Sequence, residues 1–533
     1  MRAAALVAFA AFGIAGSLPA AGASLSWTVV ALSGAQAPDT AAGTLFRAFD
    51  IPRLDEAGNV AFRGFLEVGT GDASASNDVG LWTPQGLVAR EGDPAPGGSP
   101  GQVYGFFRPT LSPHGQLALT GEFAVGVGGT SNSDNVALWG PDGAGGQSLV
   151  AREGAAAPGT AGAVFSLLNN LEVNDAGQVA FNGTLGSGIG DVDGTNQHGI
   201  WRTGPGGPEL VVRSGEQAPD TPSGAELMSI GDPFLNGAGA VAFDGVLRTG
   251  AGGVTSSNNR GVWRSTAGGG FELIARSGDQ APGLPTGTTY GLPLLVAQNE
   301  TNDVAIVSSR TSGTVVFGPD GAGGLTPVAR TGSQAPGTPP GAEFASFSNI
   351  LLNDAGGVAL RATLATGSGG VTNANNEGIW APDGAGGLRL AARRGDLVEG
   401  LLGVSFRSFE FPVLNNLGDV AFQARLLDED GLTRALVVVT SDDQTTVLAR
   451  TGDPFEVAAG DTRIVSAVWL LAGEFHGGLN DARQLAVMLE FVDTSSGVFL
   501  VSVPEPGLAL RALPMLVALA AFRGAHRWPW DAL

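Results

Sequence analysis

The sequence predicts an all-β protein, an eight-bladed β-propeller of four-stranded antiparallel blades that is closed by its N-terminal strand. Three observations predict this fold. One short motif recurs eight times at intervals of about sixty residues, each repeat contains four strand-like runs separated by turn residues, and no run has sustained helical periodicity. An open β-repeat array is the alternative, because repeats of this length also build solenoids.

The repeated motif is a hairpin turn followed by a strand, and NDAGQVAF at residues 174–181 is one copy. The side chain at its first position can bond to the backbone two residues later. The glycine three positions on suits the left-handed conformation that closes a four-residue hairpin. We therefore interpret the motif as scaffold and not as chemistry. Its first position is held by Asp55, Ser112, Asn174, Asn236, Asn299, Asn353, Asn415 and Asn480.

The strand after the turn has an alanine at one position in all eight units, flanked by larger apolar residues. Because side chains alternate between the two faces of a strand, each sheet has a small residue on one face and bulky residues on the other. Sheets of this kind can stack closely on the alanine side. The alanines are Ala61, Ala118, Ala180, Ala242, Ala305, Ala359, Ala421 and Ala486.

The two ends of the repeat array predict how the ring closes. Residues 28–33 match the fourth strand of a blade, whereas residues 497–503 match a third strand with no fourth strand after it. Residues 28–33 can therefore complete the last blade and leave no open edge.

The N-terminus predicts export. Residues 1–23 contain Arg2, an apolar stretch and the small residues Ala21 and Ala23 before a predicted cleavage site, which is the layout of a signal peptide. Residues 24–502 then form a single eight-repeat propeller domain.

The C-terminal segment, residues 503–533, has three parts. Pro504, Glu505 and Pro506 come first, and an apolar run follows that is shorter than the ~20 residues a membrane-spanning helix needs. Arg523 and Arg527 then flank it. We interpret this segment as a sorting or anchoring signal.

This tail resembles the PEP-CTERM sorting signal of Gram-negative bacteria, with the motif on Pro504, Glu505 and Pro506. Together with NDAGQVAF and LVAREG, it makes the whole chain similar to bacterial surface proteins described as choice-of-anchor tandem repeats with an NxxGxxAF repeat. The resemblance implies processing by an exosortase, transient membrane anchoring through the C-terminus, and a place on the cell surface or in the extracellular matrix. It implies no catalytic residues.

Composition excludes several classes of partner. The formal charge is −22 and there is no cysteine, so a basic nucleic-acid-binding face, a disulfide framework and a thiolate metal site are all excluded. We expect a monomer that contacts a membrane only through the C-terminal segment.

Five equal polar loops between second and third strands are the candidate binding elements, because loops on a rigid scaffold usually carry binding. Asparagine and aspartate here could bind carbohydrate or calcium, or could cap their own loops. Asp191 and Asp193 have the spacing of calcium ligands, and no other cofactor is expected. The five loop residues are Asn77, Asp134, Asn196, Asn258 and Asn375.

Seven arginines recur at one position of the fourth strand, and we interpret them as paired structural charges, with uronic acid binding as the alternative. The function predicted is that of a non-catalytic, exported surface protein binding extracellular polysaccharide or another envelope component. One alternative is a glycoside hydrolase or lyase using paired carboxylates, and another is a purely structural role. Unit-specific acids for such a pair are Asp191, Asp193, Glu300, Glu377 and Asp430.

Overall fold

In the computed structural model, the described residues are 25–310, 313–470 and 478–504, and they form 35 strands in eight antiparallel sheets. The predicted all-β, eight-bladed β-propeller is confirmed. Within these three segments, no helix has the length and apolar character that a membrane span requires.

The first half of the chain begins with β1 (Ser26–Leu32) and continues through blades 1 to 4. Blade 1 contains β2 (Phe46–Phe49), β3 (Arg53–Leu54), β4 (Val60–Leu66), β5 (Val79–Thr83) and β6 (Gly86–Arg90). Blade 2 contains β7 (Tyr104–Leu111), β8 (Leu117–Phe123), β9 (Val136–Pro141) and β10 (Gln147–Arg152). Blade 3 contains β11 (Phe165–Val173), β12 (Val179–Leu185), β13 (His198–Gly204) and β14 (Gly207–Arg213). Blade 4 contains β15 (Leu227–Ile230), β16 (Phe234–Leu235), β17 (Val241–Leu247), β18 (Arg260–Ser265) and β19 (Phe271–Arg276).

Blades 5 to 8 follow in the second half. Blade 5 contains β20 (Leu292–Gln298), β21 (Val304–Arg310), β22 (Gly313–Pro319) and β23 (Leu325–Arg330). Blade 6 contains β24 (Phe344–Leu352), β25 (Val358–Leu364), β26 (Glu377–Pro382) and β27 (Leu388–Arg393). Blade 7 contains β28 (Ser405–Leu414), β29 (Val420–Asp428), β30 (Gly431–Val439) and β31 (Thr445–Arg450). Blade 8 contains β32 (Pro454–Ala458), β33 (Asp461–Leu470), β34 (Gln484–Phe491) and β35 (Ser496–Ser502).

The first strand of each blade lies nearest the central axis, because first strands of adjacent blades contact one another, as β24 does with β20 and β28. The hairpin to the second strand has the predicted geometry. Gly177 has a φ of 74°, and the two units without glycine place Asn302 and Arg483 at φ values of 66° and 56°. The predicted turn chemistry is thus satisfied even where the residue is not glycine.

The alanine and tryptophan positions form the interfaces between blades. All eight alanines are buried, and seven of them share an apolar cluster with bulky residues of the next blade. Ala118 of blade 2, for example, belongs to one apolar cluster with Phe181 and Trp201 of blade 3. The indole N–H of each buried tryptophan donates to a proline carbonyl in the connection between blades, as Trp201 does to Pro158 at 2.9 Å. The repeat is therefore a stacking unit, as the sequence predicts.

Strand β1 closes the ring. It pairs antiparallel with β35, from Ser26 opposite Ser502 to Leu32 opposite Gly497, so the last blade is completed by residues from both ends of the domain. The apolar cluster containing Ala486 of blade 8 includes Phe62 and Trp82 of blade 1, which joins the first and last blades. The predicted closure by residues 28–33 is confirmed, with the strand beginning two residues earlier.

Candidate functional site

The sheet topology gives the propeller two different faces. The four-residue hairpins and the turns between third and fourth strands lie on one face, the turn face. The loops between second and third strands and the connections between blades lie on the other, the loop face. Each face contains a group of polar side chains that is repeated around the ring.

The five predicted loop residues are held inside their own loops. In each loop, the side-chain oxygen accepts the backbone N–H three residues earlier, as Asn258 does from Thr255 at 2.7 Å. The amide groups of Asn77, Asn196, Asn258 and Asn375 also donate to the carbonyl five residues earlier, at 3.0–3.2 Å. The capping interpretation is confirmed for Asn77, Asp134, Asn196, Asn258 and Asn375, and ligand binding by them stays a prediction.

The recurrent arginines support the same loops from the end of the fourth strand. In five units the arginine Nε donates to the carbonyl of the capping residue, at 2.6–2.8 Å. Four arginines also form ion pairs, as predicted: Arg90 with Asp72, Arg152 with Asp134, Arg213 with Asp191, and Arg450 with Asp428 and Asp453. Among the described residues, no carboxylate oxygen lies within 4.0 Å of the side-chain nitrogens of Arg276, Arg330 or Arg393.

The predicted calcium ligands already have partners from the protein. Both oxygens of Asp191 accept hydrogen bonds from Arg213, at 2.7 and 3.1 Å, and these bonds hold the pKa of Asp191 below its usual value. Asp193 accepts from the hydroxyl and backbone N–H of Thr195, which lowers its pKa also. In the described segments, no group of three or more histidine or acidic side chains is arranged to hold a metal ion. A calcium ion at this loop would require these contacts to rearrange.

On the turn face, the second residues of the hairpins form a ring around the axis that the sequence did not suggest, with Pro113 in blade 2 and Gly237 in blade 4 as the two without an accepting side chain. In blades 1, 5, 6, 7 and 8 the side chain accepts the backbone N–H of the corresponding residue in the preceding blade. The bonds, donor first, run from Glu300 to Asp354 (2.9 Å), Asp354 to Asn416 (2.8 Å), Asn416 to Asp481 (2.8 Å) and Asp481 to Glu56 (2.9 Å). These acidic side chains therefore link neighbouring blades.

A cavity of about 220 Å³ opens inside this ring, with acidic residues at its mouth and Leu351, Val413 and Leu479 among its apolar walls. Burial raises the pKa of Glu56 and of Glu300 above the usual value, although each accepts a backbone hydrogen bond. The opening therefore presents an acidic mouth over an apolar floor.

His114 lies at the same mouth and pairs with Asp175 at 2.6 Å. The hydrogen bond that His114 donates to Asp175 raises the pKa of His114. Burial acts to raise the pKa of Asp175, but hydrogen bonds from Ser112 and His114 outweigh it and lower that pKa. Every acid of the ring has a donor from the protein, and these bonds join neighbouring blades.

A second axial group, Arg53 with Glu172, lies two residues before the hairpins and was missed by sequence reasoning. The charges of these two side chains interact between blades 1 and 3. Burial raises the pKa of Glu172 to about 7 against the effect of Arg53, and lowers that of Arg53 to about 10 against the effect of Glu172. The corresponding residues in blades 4, 6 and 7 are Phe234, Leu351 and Val413. A charged residue at a position that is apolar in these three blades was the sequence signal that could have identified Arg53 and Glu172.

Two further acids adjoin Glu172. Asp232 interacts with the charge of Glu172 and accepts a hydrogen bond from Asn182 at 3.1 Å, and burial raises its pKa. Burial also raises the pKa of Asp244 to about 6, with a contribution from Asp232. Three carboxyl groups with raised pKa values are thus neighbours near the axis.

The unit-specific acids singled out in the sequence are not brought together. Glu377 pairs with Arg361 at 2.7 Å within blade 6, Glu300 belongs to the turn-face ring, and Asp191 pairs with Arg213. Over the described parts of the chain, no hydrogen bond joins any two of Asp191, Asp193, Glu300, Glu377 and Asp430.

The terminal signals lie mostly outside the described residues. Ala21 and Ala23 of the predicted cleavage site, and Glu505 and Pro506 of the predicted processing motif, are among them, whereas Pro504 is the last residue described. These predictions and the domain boundaries that depend on them stay predictions.

Comparison with known proteins gives a family but no activity. The sequence profile of a family of unknown function (DUF7453) matches residues 17–145, 123–318 and 299–510. Among curated protein sequences, none is significantly similar to this chain.

Solved propellers are similar in fold at low identity. The Dos1 propeller is 8% identical, with 87% of this chain and 93% of that chain covered and a TM-score of 0.37. The periplasmic gluconolactonase PpgL of Pseudomonas aeruginosa is 13% identical, with 75% and 95% covered and a TM-score of 0.31. A puromycin hydrolase is 11% identical with a TM-score of 0.36; the match covers 79% of this chain and only 59% of that enzyme. Such values carry no information about ligand or activity.

Proposed function

This chain belongs to the family of unknown function DUF7453, and from its own geometry we propose that it is a non-catalytic, exported surface protein whose loop face binds extracellular polysaccharide. Its relationship to NxxGxxAF repeat proteins, and processing of its C-terminal segment by an exosortase-type enzyme, are parts of the same proposal. They rest on the repeat and tail motifs, including Pro504, Glu505 and Pro506.

The observation that carries the proposal is the rigid, repeated presentation of polar loop tips. Five loops share one set of internal hydrogen bonds, which fixes their shape before any ligand arrives. The tips themselves are exposed and rich in hydroxyl and amide groups, as in Thr255, Ser256 and Ser257. Such groups can exchange hydrogen bonds with sugar hydroxyls. Because each contact is weak, a polymer that engages several loops at once suits this face.

The test uses residues 24–506 and a panel of immobilised polysaccharides, with polymer retention and release of reducing sugar measured together. The proposal expects retention without sugar release. We expect polymer retention to weaken about tenfold in the triple variant Asn132→Ala/Ser256→Ala/Asn373→Ala, because three loops each lose one contact to the same polymer. The fold should be unaffected, because these exposed side chains form no hydrogen bond within the described residues. A matched turn-face variant, Gln85→Ala with Ser441→Ala, should retain polymer normally. Equal binding by both variants, or no polymer retained at all, would contradict the proposal.

A second candidate function, a glycoside hydrolase, is favoured by the axial carboxyl groups of Glu172, Asp232 and Asp244. Neighbouring carboxyl groups with raised pKa values are a common feature of catalytic sites. Sugar release in the same assay that is abolished by Glu172→Gln would favour this candidate over the non-catalytic one.

A further inference from the structure

We infer that the loop face of blades 4, 5 and 6 is a binding site for carboxylate-bearing polysaccharides, in which sugar carboxylates pair with Arg276, Arg330 and Arg393. The inference rests on the proposed function and names the chemical class of its ligand. Its support is a comparison between blades: the arginine at one position of the fourth strand has a carboxylate partner in some blades and has none in others.

Blades 1 and 3 show the complete arrangement. Nη1 of Arg90 binds Asp72 at 2.9 Å, and Nη1 of Arg213 binds Asp191 at 2.7 Å. Each of these aspartates stands five residues before the capping asparagine and accepts its amide through the backbone carbonyl. A carboxylate at this place in the loop therefore neutralises the arginine.

Blades 4 and 6 have the same arrangement without the carboxylate. The amide groups of Asn258 and Asn375 donate to the carbonyls of Gly253 and Gly370, both at 3.2 Å, so glycine stands where the other loops have aspartate. The arginine Nε still donates to the capping carbonyl, at 2.8 Å in both blades. The capping bonds are kept and the charge partner is lost, and the backbone at Gly253 and Gly370 has positive φ values of 72° and 70°.

The two guanidinium groups are left buried and incompletely bonded. Arg276 is 8% exposed and Arg393 is 6% exposed, and the enclosed Nη2 of each has no hydrogen-bond partner in the described segments. Arg90 has the same enclosed Nη2, so the difference between blades lies at Nη1. Asp396 interacts with the charge of Arg393 but forms no ion pair with it, unlike the equivalent Asp453 with Arg450. A buried cation without a paired anion is unfavourable, and an added carboxylate relieves it.

Space is available where the aspartate is missing. A Cβ atom built on Gly253 or Gly370 meets no heavy atom within 4 Å, so the place is open. In blade 5, Phe317 follows Ile306 by only 11 positions, against 20 from Phe62 to Trp82 in blade 1, and Arg330 is exposed at the end of β23. Three consecutive blades thus present arginines without carboxylates, although the whole chain has a net charge of −22.

The experiment compares binding of residues 24–506 to polygalacturonate, its neutral methyl ester and dextran sulfate. We expect binding to polygalacturonate that falls at least about tenfold in Arg276→Gln/Arg393→Gln, because two charge-assisted contacts through Nη1 are lost. The matched variant Arg264→Gln/Arg389→Gln, at turn-face arginines that pair with Glu272 and Asp443, should bind as the wild type does.

A second pair of variants leaves the arginines in place. Gly253→Asp/Gly370→Asp supplies an internal carboxylate and should weaken polygalacturonate binding to a similar extent. Gly253→Asn/Gly370→Asn has nearly the same shape without the charge and should bind normally. Both positions have positive φ, a conformation that Asp and Asn adopt more readily than other residues with a side chain, so the two variants carry the same backbone strain. If the aspartate and asparagine variants change polygalacturonate binding equally, the inference is overturned.

The three polymers and the arginine variants together distinguish failure of this inference from failure of the proposed function. Retention of the neutral ester, with no preference for polygalacturonate and no effect of Arg276→Gln/Arg393→Gln, overturns the inference and leaves the proposed function standing. Binding to dextran sulfate alone also overturns it, because the ligand would then be a sulfated polymer. If the protein binds none of these three polymers and no other polysaccharide tested, both the inference and the proposed function are overturned.

Discussion

At the residue scale, the informative positions are those where one unit departs from the others. The position two residues before the hairpin is apolar in blades 4, 6 and 7, but it is Arg53 in blade 1 and Glu172 in blade 3. Their interaction near the axis satisfies two charges that would each be costly to bury alone. Blades 4 and 6 differ from blades 1 and 3 by a missing charge. Arg276 and Arg393 have no carboxylate at the loop position where Asp72 and Asp191 neutralise Arg90 and Arg213.

The raised pKa of Glu172 predicts how stability varies with pH. The folded state holds this proton more tightly than the unfolded state, so its contribution is complete below the ordinary value of 4.5 and is lost as pH rises through about 7. Glu172→Gln does not titrate. We expect the free energy of unfolding of the wild type, relative to this variant, to fall by about 3 kcal/mol between pH 4 and pH 8.

Urea unfolding at the two pH values measures this difference. Glu67→Gln, at an exposed glutamate, is the matched control and should follow the wild type. Parallel pH curves for the wild type and Glu172→Gln would show that Glu172 is not the titrating group.

At the element scale, the hairpin between the first and second strands both turns the chain and joins adjacent blades. Its first residue caps the turn through one side-chain atom and reaches the next blade through the other. Asn353 accepts from Gly357 at 2.7 Å and donates to the carbonyl of Asn415 at 3.0 Å. Five of the eight interfaces contain this bond, which is donated by Asn174, Asn299, Asn353, Asn415 and Asn480.

Blade 4 supplies an internal control for this inter-blade bond. Asn236 caps its own turn at 2.8 Å through Ala240, but its buried amide nitrogen has no hydrogen-bond partner. We therefore expect Asn353→Ala to lower the free energy of unfolding by about 1 kcal/mol more than Asn236→Ala does. Denaturant unfolding of both variants measures the difference, and equal losses would mean that the inter-blade bond contributes nothing.

At the scale of the whole molecule, closure depends on one strand from the start of the domain. Strand β1 supplies the outer edge of blade 8, and Trp27 and Leu32 pack against the apolar cluster of that blade. Ser33 adds a reciprocal pair of bonds with Ser496, at 2.9 and 3.0 Å. The last blade is therefore incomplete without the first residues of the domain.

Deleting residues 25–33 should expose the edge of β35 and open the ring at its closing blade. We expect the melting temperature to fall on the order of 10 °C and the protein to self-associate through the free edge. Differential scanning calorimetry and light scattering measure the two effects. A chain that ends at Pro504 is the control, because every hydrogen bond described for the propeller remains in it. An unchanged melting temperature in the deleted protein would show that β1 is not needed for closure.

The sequence by itself determined the architecture: the all-β class, eight blades of four strands, the hairpin geometry, the alanine interfaces and the closing strand. These features depend on alternation and turn chemistry over a few residues, and eight repetitions remove the ambiguity of any single copy. The sequence also limited the role of five loop residues to capping their own loops or binding a ligand, and the structure contains the capping bonds. These residues are Asn77, Asp134, Asn196, Asn258 and Asn375. Only the tertiary structure decided which charged residues meet. Arg53 with Glu172 and the turn-face ring depend on distances across blades, which no local pattern encodes. The unpaired Arg276 and Arg393 depend on contacts between the fourth strand and a loop of the same blade, which are distant in sequence.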